Sequence, residues 1–134
     1  MKPNYHEQVD NAFGRVLDEF GFILVEAKEA GLGGWRGEYA SKRMRIRFTG
    51  DRGDIMVDIS CVDRGGDWLD LILIETLVVG SDSCRVISLN ELADFMGGYY
   101  STVANLLTPN SFSATVKEVF RLGEERASKL FPGS

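Results

Sequence analysis

The sequence predicts an α+β fold: an antiparallel meander sheet of about five strands, with an N-terminal helix and C-terminal helices packed on one face. One observation is a period of two in the middle of the chain, where Met44, Ile46 and Phe48 alternate with arginines. The other is the helical spacing of apolar residues near both ends. The 134 residues contain no linker, repeat or low-complexity segment, so we expect a single domain over residues 1–134.

The first helix begins at a capping box and ends at a glycine. Asn4 is followed three residues later by Glu7, which is the spacing of such a box. Gly21 supplies the stop signal. Between them the apolar residues recur at helical spacing: Val9, Ala12, Phe13, Val16, Leu17 and Phe20. The pattern predicts an amphipathic helix whose apolar stripe covers a sheet.

The strands follow. Residues 22–27 and 35–39 form the first two, on either side of a glycine-rich loop. A turn over residues 40–43 sets Tyr39 opposite Met44, and a turn over residues 50–53 sets Arg45 opposite Asp58. In this register Arg45 lies between Glu38 and Asp58 on the polar face of the sheet.

After a turn at residues 64–67, the apolar residues 68–79 predict a long central strand. Its Ile72 and Ile74 would point to the same face as Met56. They would form an exposed apolar patch unless the C-terminal segment covers them.

Two helices complete the chain. Ser88 and Glu91 form a second capping box, opening a short helix that ends at Gly97 and Gly98. The last helix begins near residue 110 or 111 and ends before Pro132. Its apolar stripe consists of Phe112, Val116, Val119, Phe120, Ala127, Leu130 and Phe131.

Composition excludes some functions. The formal charge of −5 and the pI near 4.9 argue against binding to nucleic acid, which needs basic residues to displace counterions from phosphates. The charge suits a basic protein partner, and it equally serves solubility. Cys61 and Cys84 are expected to be free thiols. No apolar run is long enough to cross a membrane, so we expect a cytoplasmic protein.

The sequence offers no catalytic or metal-binding pattern. His6 is the only histidine, so neither a histidine metal cluster nor a histidine dyad elsewhere can form. The aspartates near residues 51–70 fit turn chemistry better than ligand spacing. The glycines at residues 31–34 lack the spacing of a phosphate loop. We therefore expect no enzyme, no catalytic residue, no metal and no cofactor.

Protein binding is the function that the exposed features favour. Tryptophans dominate interface hot spots, although core anchoring at the sheet ends explains both tryptophans equally well. Carboxylates near the second tryptophan would meet basic groups of a partner. The expected partner-binding residues are Trp35, Asp67, Trp68, Asp70, Ile72 and Ile74.

The layout resembles small bacterial immunity proteins of polymorphic toxin systems. The resemblance lies in Phe13-x-x-x-Leu17-x-x-Phe20-Gly21-Phe22, then Tyr39 and the alternating hairpin around Arg52. Leu89-x-x-Leu92-Ala93 and a terminal amphipathic helix follow. It implies a non-enzymatic inhibitor that neutralises a cognate toxin, for example a basic toxin domain, by blocking or distorting its active site.

Two alternatives stay open. One is a small-molecule-binding or enzymatic domain, which would need a pocket between sheet and helices and a carboxylate of shifted pKa. The other is a homodimer formed through the face that carries Ile72 and Ile74, which is compatible with either function.

Overall fold

The computed structural model describes residues 4–63, 67–82 and 87–131. These residues form an antiparallel sheet whose strands follow one another in chain order, which confirms the predicted α+β meander. The elements are α1 (Tyr5–Glu19), β1 (Ile23–Ala30), β2 (Gly34–Ala40), β3 (Arg45–Asp51), β4 (Asp54–Ser60), β5 (Leu69–Asp70), α2 (Leu71–Val79), α3 (Leu89–Leu106) and α4 (Phe112–Leu130). A short 3₁₀ turn at Gly31–Gly33 joins β1 to β2.

Helix α1 has the ends that the sequence predicts. The Asn4 side chain accepts a hydrogen bond from the backbone N–H of Glu7 at 3.0 Å, and Gly21 follows the helix with a positive φ of 72°. The stripe that α1 buries consists of Tyr5, Val9, Phe13, Val16 and Leu17. Phe13 meets Phe48 of β3 edge to face, with ring centroids 5.0 Å apart, so α1 lies on the apolar face of the sheet.

The β3–β4 hairpin has the predicted faces and a different register. Its turn consists of Arg52 and Gly53, both at positive φ, and such two-residue turns match the twist of the strands. Arg47 therefore pairs with Asp58, and on the other side with Glu38. The shift from the predicted pairing is two residues, so every side chain keeps its face. Arg47, not Arg45, lies between the two carboxylates.

The predicted strand over residues 68–79 is wrong. Only Leu69 and Asp70 extend the sheet, and α2 starts at the next residue. Asp70 caps this helix by accepting from the Ile72 N–H at 2.9 Å, and Gly80 ends it at a φ of 78°. Ile74 is 0% exposed and Ile72 is half-buried. The apolar patch predicted with Met56 is therefore absent, and so is the dimer face built on it.

Helix α3 has the predicted capping box at Ser88 and Glu91, but it is longer than predicted. It continues through Gly97 and Gly98 to Leu106, with a local distortion at Tyr99 (φ −122°). The next residue, Tyr100, stacks on Phe20 with centroids 4.0 Å apart. Packing of this kind outweighs the cost of about 1 kcal/mol that each glycine adds to a helix interior.

Helix α4 begins after Ser111, as predicted, but buries a narrower stripe than expected. The side chains that it buries are Phe112, Thr115, Val119 and Leu122. Phe120, Leu130 and Phe131 are exposed, which corrects their predicted place in the stripe.

Cys61 is a buried free thiol. Three other predictions fall outside the described residues: those for Cys84, for the turn at residues 64–66 and for the helix stop at Pro132. No helix in the described ranges has both the length and the hydropathy to cross a membrane.

The contact between α1 and the hairpin yields a test of the fold. A Cβ at Gly50 would overlap the buried ring of Tyr5, whose hydroxyl accepts from the Gly53 N–H at 2.9 Å. We expect Gly50→Ala to lower the free energy of unfolding by about 1–3 kcal/mol, measured by urea denaturation, because such overpacking displaces a core ring.

Gly14→Ala is the matched control for that variant. Gly14 lies inside α1, and a Cβ there meets nothing within 4 Å. Replacing it should raise the free energy of unfolding by up to about 1 kcal/mol. A Gly50→Ala protein as stable as the wild type would contradict the packing of Tyr5 on the hairpin.

Candidate functional site

The sheet surface opposite the core carries charged side chains, and we call it the charged face. Its position follows from the period of two: β3 and β4 bury Ile46, Phe48, Val57 and Ile59 on one side, so the intervening residues point to the other. The charged face consists of Glu26, Lys28, Arg36, Glu38, Arg45, Arg47, Met56, Asp58 and Trp68.

Trp68 lies on the charged face against two arginines. The guanidinium carbon of Arg45 is 4.6 Å from the centroid of the indole ring, and that of Arg47 is 4.4 Å away. Arg45 is fixed in turn, because its Nε donates to the Cys61 carbonyl and its Nη2 to the Ser60 hydroxyl, each at 3.2 Å. Each cation–π contact contributes about 0.5–2 kcal/mol, depending on how far it is removed from water. The indole is therefore held in place from the sheet.

Arg47 also links Trp68 to a row of carboxylates across the sheet. Its Nη2 lies 3.3 Å from Oδ2 of Asp58, and both side chains are largely buried. Asp58 stands opposite Asp70 of β5, while Glu38 stands opposite Arg47 on the other side. Like charges directly opposite each other destabilise a sheet. Arg47 balances the charge of Asp58, and Arg126 is the cation that acts on Asp70.

Among the described carboxylates, Asp70 has a pKa that departs clearly from its ordinary value. Burial raises its pKa, and the negative charge of Asp58 raises it further. The hydrogen bond from Ile72 N–H and the positive charge of Arg126 act in the opposite direction but do not cancel the rise. Asp70 thus caps α2, but its charged form is less favourable in the folded protein than in water.

The structure brings only some of the predicted binding residues together. Trp68 and Asp70 both adjoin the Arg47–Asp58 pair, and Asp67 is exposed next to Trp68 in the chain. Ile74 lies in the core and Ile72 is half-buried in α2, so neither belongs to the charged face.

Trp35 lies on the opposite side of the sheet from Trp68. Its ring covers Gly37, at a position where a Cβ would overlap it, and its centroid is 5.9 Å from that of His6 in α1. Its partner on β3 is Gly50, which faces Tyr5 of α1. Trp35 therefore packs beside the first helix, as the core-anchoring alternative predicted, and does not share a surface with Trp68.

Sequence reasoning missed the two arginines that hold Trp68. The alternation of Arg45 and Arg47 with buried residues shows their common face, but the sequence does not show which aromatic residue packs against them.

Beside Trp68, a small hollow of about 160 Å³ opens among Glu26, Lys28, Arg36, Glu38 and Arg47. In the described part of the chain, no group of three or more His, Cys, Asp or Glu side chains could hold a metal ion.

Comparisons with family models, with curated proteins and with solved structures found no match to this chain.

The raised pKa of Asp70 predicts a pH dependence of stability. An acid whose pKa is higher in the folded state binds its proton more tightly there, so its contribution to stability falls as the pH rises through that pKa. Asparagine caps a helix as well as aspartate and carries no charge. We expect Asp70→Asn to be more stable than the wild type at pH 7, with an advantage that shrinks as the pH falls toward 4, measured by urea denaturation.

Asp70→Ala separates the two roles of this side chain. Alanine removes the hydrogen bond to Ile72 N–H along with the charge, so this variant should lose about 0.5–2 kcal/mol relative to Asp70→Asn at every pH. A stability difference between Asp70→Asn and the wild type that does not change with pH would contradict the electrostatic cost assigned to Asp70.

Proposed function

We propose that this protein is a non-enzymatic protein-binding module and that it binds its partner through the charged face around Trp68. The observation that carries the proposal is the indole of Trp68, held by Arg45 and Arg47 on a sheet face that the core does not use. Tryptophan and arginine are two of the residue types most enriched among interface hot spots.

The fixed position of Trp68 favours tight binding. A side chain that must be ordered on association loses about 0.5–1.5 kcal/mol of affinity. Here the two arginines order the indole before any partner arrives, and hydrogen bonds to Cys61 and Ser60 order Arg45. A partner would then meet a rigid aromatic surface.

The charges around Trp68 favour specificity. Cations and carboxylates are interspersed on this face, so a partner must present the complementary pattern or leave charges unpaired. At longer range the net charge of −5 attracts a basic partner. Asp67 is the exposed carboxylate next to Trp68 in the chain, and it suits contact with such a partner better than Asp70, which caps α2.

Within this class we propose an immunity protein that binds and blocks a cognate bacterial toxin. The acidic charge and the resemblance of the sequence layout to such inhibitors support this choice. The mechanism is steric: Trp68 would occupy a hydrophobic recess, and the surrounding carboxylates would pair with basic groups that the toxin uses on its own substrate.

Affinity capture from the native cell lysate tests the binding surface. We expect the tagged wild-type protein to retain one stoichiometric partner and Trp68→Ala to bind it at least about 30-fold more weakly, as expected for a hot-spot tryptophan. Trp35→Phe is the matched control, because Trp35 lies on the other side of the sheet. It should retain the partner fully.

The nature of the partner is tested by expression. The captured protein should arrest growth when it is expressed alone, and co-expression of the wild-type chain should restore growth, whereas Trp68→Ala should not. Circular dichroism of Trp68→Ala checks that the variant is folded. Equal capture by Trp68→Ala and the wild type would overturn the assigned surface, and a harmless partner would overturn the immunity function.

Binding of a small molecule is the second candidate function. The raised pKa of Asp70 and the hollow beside Trp68 favour it. The hollow, at about 160 Å³, is smaller than the roughly 300–1,000 Å³ of ordinary ligand sites, and its lining residues do not include Asp70. A ligand that raises the melting temperature of the wild type but not of Trp68→Ala would support this function instead.

A further inference from the structure

The edge of the sheet at β1 is an unusually open surface. Residues 23–30 pair with β2 on one side, and among the described residues no strand pairs with the other side. All eight residues of β1 are exposed, including Ile23 at 72% and Val25 at 58%. A strand edge of this length, without proline, presents backbone N–H and C=O groups that can template another strand.

The charges on β1 are poorly matched to its neighbour within the chain. Glu26 lies opposite Glu38 of β2, and Lys28 lies opposite Arg36. Like charges in directly opposed positions are unfavourable. These two side chains instead form an ion pair with each other, at 3.3 Å between Nζ of Lys28 and Oε1 of Glu26. The open side of the strand is where opposite charges would be gained.

We propose that two copies of this chain associate through their β1 edges, antiparallel, to form one continuous sheet. The pairing is isologous: a two-fold axis passes through Ala27, so that Glu26 of each copy faces Lys28 of the other. Both side chains lie on the charged face, as their partners on β2 show. Four charges of alternating sign then meet at the axis.

Neighbouring registers are less favourable. An axis at Glu26 would oppose two glutamates, and an axis at Lys28 would oppose two lysines. An axis at Val25 would set Glu26 against Leu24, without any charge pair. The ladder between β1 and β2 shifts between Leu24 and Glu26, so the regular segment that includes Glu26, Ala27 and Lys28 sets the register.

Association through β1 stops at a dimer and does not continue into a filament. At the far edge of the described sheet, the two-residue β5 pairs only with Asp58 and Ile59 of β4, which leaves residues 54–57 as a shorter unpaired stretch before the chain turns into α2. Because the pairing is isologous, both β1 edges are used in the dimer, and in the described residues the far edge offers only a shorter stretch, so a dimer forms rather than a filament.

A charge swap tests both the association and its register. Sedimentation equilibrium of the wild type should show a monomer–dimer equilibrium. Lys28→Glu and Glu26→Lys each oppose like charges at both positions, so we expect each to weaken the dimer about tenfold or more. The double variant, with Glu26→Lys and Lys28→Glu together, restores opposite charges and should regain the affinity of the wild type.

Glu26 and Lys28 also belong to the charged face, so the dimer is measured on the purified chain alone, where no partner protein contributes to the result. A wild type that stays monomeric at millimolar concentration would overturn the proposal. So would a dimer that the single variants leave unchanged, or one that the double variant fails to restore.

A cysteine on the axis gives an independent readout. In a Cys84→Ser background, Ala27→Cys should form an intermolecular disulfide rapidly, because the two thiols are directly opposed. Ala30→Cys is the control, since its two copies would lie roughly 20 Å apart in this register. Equal cross-linking of both variants would overturn the register, and faster cross-linking of Ala30→Cys would do the same.

Discussion

The alternation of side chains along β3 and β4 is the constraint on which the rest of the structure depends. Ile46, Phe48 and Ile59 are fully buried, and a shift of one residue would exchange them with arginines and aspartates. Such an exchange would place unpaired charges in the core, at a cost far above the stability of a domain of this size. The positions of α1 on one face and of Trp68 on the other both follow from this register.

The sequence predicts well where local chemistry decides the structure. The caps at Asn4 and Ser88, the ends of α1 and the two faces of the hairpin all depend on neighbouring residues. Residues 71–79 could not be assigned in the same way, because a short, mostly apolar run fits a buried strand and a buried helix equally well. The signals that decide between them are the cap at Asp70 and the glycine at position 80.

The charged face, too, can be predicted from the sequence only in part. The pattern predicts an arginine between Glu38 and Asp58, and the structure has one, but the length of the turns decides that it is Arg47. The contact of Trp68 with this arginine joins residues 21 positions apart, which no local pattern encodes. Trp35 looks equivalent to Trp68 in the sequence, and only the packing of α1 against Gly50 separates their roles.

The two proposed surfaces are related by the geometry of the sheet. A two-fold axis that pairs two antiparallel edges runs perpendicular to the sheet, so both charged faces of the dimer would point the same way. With strands about 4.8 Å apart, the two Trp68 surfaces would lie roughly 25–35 Å from each other. A partner that is itself a dimer could occupy both, and the second contact would then form at a high effective concentration. A monomeric partner would gain nothing from the pairing, so the advantage of the β1 edge depends on the symmetry of the partner.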